Sequence, residues 1–110
     1  MAAVLRIDTH RRDGAYVVAV DGELDMASVD GLRTAVGTLV TDTLPSIVVD
    51  LREISFIDSS GLHALLALQS RAREAGRELL LVRGPEPVMR VFQIARVDDL
   101  FRWIDAPPED

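Results

Sequence analysis

Val49-Asp50-Leu51-Arg52-Glu53-Ile54-Ser55-Phe56-Ile57-Asp58-Ser59-Ser60-Gly61-Leu62 is the stretch on which the fold turns. It opens inside a compact apolar run, residues 47–51, that is rich in β-branched side chains and bounded by turn residues. That pattern reads as a central strand covered on both faces. Asp50 closes this strand and is expected to accept hydrogen bonds that organise the following loop, residues 52–57. Leu62, Leu65, Leu66, Gln69 and Ala72 then recur at helical spacing, and Gly76 marks the stop of that helix. Strand, loop and helix in this order form the repeating unit of an α/β sheet. In open sheets of that kind, function gathers at the carboxyl ends of the strands.

The flanking sequence extends the same pattern. Residues 78–82 read as another buried strand, and Pro87 fits the first turn of a third helix, where its missing N–H costs nothing. Val88, Val91, Phe92 and Ala95 mark the inner face of that helix, and residues 100–104 read as a last short strand. Upstream, residues 4–9 alternate apolar and polar, as a half-buried strand does. Arg12-Asp13-Gly14 is a turn signal, and residues 15–20 form a second, better-buried strand. Asp21-Gly22-Glu23-Leu24-Asp25 then leaves the sheet. Val29, Leu32, Val36, Leu39 and Val40 place an amphipathic helix over residues 27–41, with Asp25 or Ser28 at its cap. The order β-β-α-β-α-β-α-β predicts one α/β layer domain. Its sheet is mixed, mostly parallel, of four to five strands, with helices packed on it and a short or absent C-terminal helix. The single domain spans residues 1–110, with an ordered core of about residues 4–104 and a flexible tail over 105–110.

Composition removes several classes of function. A chain of 110 residues buries a core without a metal or disulfide staple. It has no cysteine, which excludes disulfides, thiolate zinc sites and a cysteine nucleophile, and fits the cytosol. The net charge of −6 and the lack of a basic patch argue against nucleic acid as a partner. All 12 basic residues are arginine, so no P-loop or Schiff-base lysine exists. The longest nearly unbroken apolar stretch, residues 62–68 interrupted by His63, falls far short of the ~20 residues that span a membrane. The first residues lack the basic and apolar regions of a signal peptide, so a cytoplasmic location is expected. Ser59 and His63 share a helix face, but no orienting third group and no Gly-x-Ser-x-Gly elbow accompany them. The other histidine, His10, completes no metal set. The chain is therefore expected to be no enzyme and to hold no cofactor or metal. Asp50 resembles the acceptor of an aspartyl-phosphate receiver only superficially, since the early acidic pair and the late lysine are missing.

Asp58, Ser59 and Ser60 lie where the second helix starts, and all three are good capping types. One reading is a simple cap. The other is a phosphate site, because a phosphate there meets free backbone N–H groups and the positive end of the helix dipole. Gly61, lacking a side chain, is expected to leave the approach to Ser60 open.

Asp58-Ser59-Ser60-Gly61-Leu62, after the strand of residues 47–51 and the loop residues Ile54, Phe56 and Ile57, resembles the signature of the anti-sigma factor antagonists of the STAS domain family. Gly22-Glu23-Leu24-Asp25 resembles the family's motif before its first helix. The resemblance implies that the second serine, Ser60, is the phosphoacceptor. It also implies partner switching: the unmodified protein binds an anti-sigma factor that is itself a serine kinase, and this releases the sigma factor. The kinase phosphorylates Ser60 from ATP, the antagonist leaves, and a PP2C-type phosphatase resets it. Asp25 and Asp58 would lie near the phosphoacceptor and present it, with Ser59, Gly61 and His63 completing the partner surface. His63 departs from the small residue usual after Gly-Leu, and reads either as a tuning contact or as a solvated side chain. A monomer or weak dimer is expected, with no membrane partner. The family usually ends with a further helix, so apolar surface near Trp103 is expected to be exposed or covered by a partner. The alternative is a STAS-type scaffold or sensor module that binds without a phosphorylation switch.

Overall fold

Asp13 and Gly14 both take left-handed backbone angles, φ 44° and 80°. That pair closes a two-residue hairpin between β1 (Arg6–Arg12) and β2 (Ala15–Leu24), as the turn signal predicts. In the computed structural model, which describes residues 5–109, the chain continues through α1 (Val29–Leu39), β3 (Ser46–Ile57), α2 (Ser59–Glu74), β4 (Glu78–Val82) and α3 (Glu86–Ile94). A 3₁₀ turn (Asp98–Leu100) and β5 (Arg102–Ile104) complete it. The expected order of elements is borne out. The five strands lie in the order β1-β2-β3-β4-β5, with β1 antiparallel to β2 and every later pair parallel. Val4, the expected start of the first strand, and Asp110, the end of the expected tail, lie outside the described residues.

Both strands that approach the second helix are longer than the sequence suggests. β2 does not leave the sheet at Asp21 but pairs with β3 as far as Leu24↔Ile57. The expected loop of residues 52–57 is strand, so Asp50 lies within β3 and does not close it. Two register shifts make this extension, one between Ala19 and Asp21 and one between Gly22 and Glu23. At each, β3 carries one more residue than β2, the pattern of β-bulges that bend a strand near its end. Polar residues interrupt the apolar alternation there, which hides the strand from a reading of periodicity. α1 is shorter than expected, Val29–Leu39, because residues 26–28 form turns.

A strand order that only advances, with the right-handed crossovers that βαβ units adopt, puts the helices on one face. The main core lies on that face. Val18, Val20, Ile47, Val49, Leu51 and Leu81 from the sheet pack against Leu32, Val36, Leu65, Leu68 and Phe92 from the helices. Of the inner face expected for α3, Val88 and Phe92 are buried and Val91 is half-buried, but Ala95 is exposed because the helix has ended. Trp103 is half-covered by the chain itself: its ring stands edge-on to Phe92 at 5.0 Å, and its indole N–H donates to the Asp98 carbonyl at 2.8 Å. The other face carries a small cluster of Ala15, Val17, Val48 and Val82 with Leu80 and Ile104, and no helix among the described residues. Residues 106–109 run along that face, and with His10, Arg12, Asp50 and Arg52 they border a hollow of about 450 Å³.

Candidate functional site

The junction between β3 and α2 is the expected site. Asp58 has extended backbone angles and caps α2, its carboxylate accepting the Gly61 N–H at 3.2 Å. Its own N–H donates to the Leu24 carbonyl at 3.3 Å, which ties the start of α2 to the end of β2. The capping reading of Asp58 is therefore realised. Ser59 is exposed, Ser60 is half-buried, and His63 is exposed one turn further on. Neither the Ser59 nor the Ser60 hydroxyl has a hydrogen-bond partner among the described residues. α2 has 16 residues and no acidic side chain in its first turn, so the positive end of its dipole is offset there by the Asp58 cap alone.

Gly61 does not act as expected. It is buried, and a Cβ built on it falls 2.7 Å from Ile57 Cγ1 and 2.9 Å from the Leu24 carbonyl oxygen. Its bare face points into the protein and lets the first turn of α2 sit directly on the ends of β2 and β3. It opens no path to Ser60.

A second junction lies beside the first. Leu24 and Ile57 are register partners, so Asp25 and Asp58 each follow one of a pair of adjacent strand ends, ~5 Å apart in the sheet. The Asp25 carboxylate accepts the N–H groups of Ala27 and Ser28 at 3.0 and 3.1 Å and so builds the turn that leads into α1. The Ser28 hydroxyl accepts the Asp25 N–H at 3.0 Å and donates to the Glu23 carbonyl at 2.7 Å. Ser28 stands at the cap position of α1 without a side-chain bond to the helix itself. Both acids expected near Ser60 thus stand at its edge of the sheet, each engaged in shaping its own turn.

Two exposed side chains escaped the reading as functional residues. Met26 protrudes from the turn after Asp25, and Phe56 from β3 opposite Glu23. The signal for Phe56 was its place between Ser55 and a buried Ile57, which forces it to the outer side of the strand. Away from this edge, buried Asp50 accepts two bonds from the Arg52 guanidinium through Oδ2, at 2.9 and 3.2 Å, and the Arg52 backbone N–H through Oδ1. Those hydrogen bonds, with the carboxylate's charge, raise the Arg52 pKa. Asp50 is an acceptor, as expected, but it holds Arg52 of its own strand and organises no loop. No group of three or more potential metal ligands forms among the described residues, and none of their helices is long and apolar enough to cross a membrane.

The geometry can be set beside known proteins. The family profile described as STAS domain matches residues 6–109. The anti-sigma-B factor antagonist of Staphylococcus aureus is 30% identical over 96 residues, covering 87% of this chain and 89% of that relative. An anti-sigma-F factor antagonist of Mycobacterium tuberculosis is 28% identical over 90 residues, 82% of this chain and 73% of the relative. The crystal structure of an anti-sigma factor antagonist from Mycobacterium paratuberculosis superposes with a TM-score of 0.78 at 28% identity, covering 96% of this chain and 87% of that one.

Proposed function

This chain belongs to the STAS domain family, and from that premise we propose that it is an anti-sigma factor antagonist switched at Ser60. Its unphosphorylated form binds an anti-sigma factor that is a serine kinase, and so frees the sigma factor. Transfer of phosphate from ATP to Ser60 ends the complex, and a PP2C-type phosphatase restores it. The protein acts by binding, as antagonists of this family do, and it works in the cytoplasm.

One observation carries the reading. At the entrance of α2, beside Asp58 and near Asp25, the half-buried Ser60 hydroxyl has no hydrogen-bond partner among the described residues. A hydroxyl that keeps no structural bond can be modified without dismantling the helix. Phosphate adds about −1.5 to −2 charges at pH 7, onto an edge that already holds Glu23, Asp25 and Asp58. A docked partner must then desolvate a larger anionic cluster, and an unpaired buried charge is costly. Local repulsion suffices; no rearrangement of the fold is needed. A change of ~1.4 kcal/mol in binding is already tenfold.

The test combines the protein, ATP and purified anti-sigma factor serine kinases, with the phosphate mapped by mass spectrometry. Phosphate on Ser60 is the expected result. Ser60→Ala then binds the kinase constitutively, and Ser60→Asp binds at least about tenfold more weakly. Equal affinity of the two variants, or phosphate on another residue, rejects the switch.

A further inference from the structure

Large apolar side chains that protrude into solvent are few among the described residues, and two of them frame the Ser60 edge. Met26 directly follows Asp25 and is 77% exposed; Phe56 lies two residues before Asp58 and is 46% exposed. The fold requires neither. Met26 occupies a turn whose bonds are made by Asp25 and Ser28, and a polar residue would serve equally well there. Phe56 occupies an outward strand position paired with Glu23, where a polar side chain is the usual choice. Glu23, Glu53, Asp25 and Asp58 flank them along the ends of β2 and β3, while the arginine of β3, Arg52, is committed to Asp50. An apolar pair inside an acidic rim is the anatomy of a docking surface: the apolar side chains supply affinity and the rim supplies steering and register.

We propose that Met26 and Phe56 are the apolar anchors on which the anti-sigma factor serine kinase docks. Its complementary face is then an apolar pocket bordered by basic side chains. This inference rests on the function proposed above and adds the residues that hold the partner. The anchors stand at the ends of β2 and β3, next to the two acids, so a kinase seated on them meets the entrance of α2 where Ser60 lies. They also separate docking from chemistry. Affinity comes from side chains that are not modified, and phosphate acts on the acidic rim around them.

The remaining large exposed apolar side chains provide the control. Ile94 ends α3, and Leu100 lies in the 3₁₀ turn, its carbonyl accepting from Gln69, about 14 Å along α2 from Ser60. Unphosphorylated Met26→Ser, Phe56→Ser, Ile94→Ser and Leu100→Ser are titrated calorimetrically into purified anti-sigma factor serine kinases, after thermal melts verify folding. Each anchor substitution is expected to weaken binding roughly tenfold, and each control by less than about twofold. With ATP present, the anchor variants raise KM for Ser60 phosphorylation while kcat holds. Equal binding by wild type and the anchor variants overturns the proposal and leaves the Ser60 switch standing. Weakening by the control variants to the same extent overturns it as well, since docking then lies elsewhere. Failure of every such kinase to bind the wild type overturns this inference together with the function it rests on.

Discussion

Two strand-to-helix junctions stand side by side at one edge of the sheet, built from the same residue types. At the first, Asp25 and Ser28 lead from β2 into α1; at the second, Asp58, Ser59 and Ser60 lead from β3 into α2. In both, a carboxylate accepts backbone N–H groups and shapes the turn. The hydroxyls differ. Ser28 is locked, accepting from Asp25 and donating to Glu23, whereas Ser60 bonds to nothing among the described residues. The pair teaches that a serine at a helix entrance is not by its type either structural or reactive. What decides is whether the neighbouring backbone offers it a carbonyl. The end of β2 offers one at Glu23, and the short step from Ile57 to Asp58 does not.

The largest expected effect tests how closely the second junction is packed. Gly61→Ala forces a Cβ against Ile57 and the Leu24 carbonyl, and should lower stability by about 1–3 kcal/mol in urea unfolding. The matching change in the first junction's helix, Gly31→Ala, meets only Ile7 Cδ1 at 3.5 Å and should raise stability by about 0.5–1 kcal/mol through helix propensity. Opposite signs are the expectation; a common sign breaks the contrast.

Next in size is the contrast between the hydroxyls themselves. Ser28→Ala removes two hydrogen bonds and leaves the Asp25 N–H unpaired, so a loss of about 1 kcal/mol is expected. Ser60→Ala should shift stability by less than about 0.5 kcal/mol, because no bond is lost. Comparable losses at both serines would show that Ser60 is structural after all.

The smallest effect lies at the opposite ends of the same strands and serves as a distant control. The Tyr16 hydroxyl donates to Asp42 at 2.7 Å, and that bond, with the Thr43 N–H, holds the Asp42 pKa below the usual 3.8. A carboxylate with a depressed folded-state pKa stabilises the protein above its unfolded-state value, and that contribution fades as pH falls through the folded-state pKa. The difference between wild type and Tyr16→Phe in urea midpoint should therefore be full at about pH 6 and shrink below about pH 4. Phosphorylation of Ser60 should not change in this variant.

Much of this was readable from the residues. The strand of residues 47–51, the helix stop at Gly76 and the cap of α2 at Asp58 all rest on local chemistry: β-branched runs, a glycine terminus, capping types in sequence. The helix stop is realised by the Arg77 N–H donating to Ala72 and the Gly76 N–H to Arg73. What escaped depends on pairing between distant segments. The ends of β2 and β3 form strand only because each supplies the other's ladder across two bulges, and neither Asp21-Gly22-Glu23 nor Arg52-Glu53 shows β-propensity alone. The role of Gly61 is hidden from the local sequence for the same reason. Its meaning lies in Leu24, 37 positions away in sequence, and no window around Ser60 contains that residue. Met26 and Phe56 look unremarkable in a chain with ample apolar residues until burial separates them from the core.

The uninterrupted advance of the strands, β1 to β5, carries one more consequence. Sheets whose order doubles back divide their helices between two faces and open a crevice where the direction changes, and small molecules lodge there. A sheet that never doubles back has no such crevice. The edge bearing Ser60 is then a ledge and not a cup, so the kinase proposed to act on it is expected to bring the entire nucleotide pocket and to take from this protein only the hydroxyl and the ground around it.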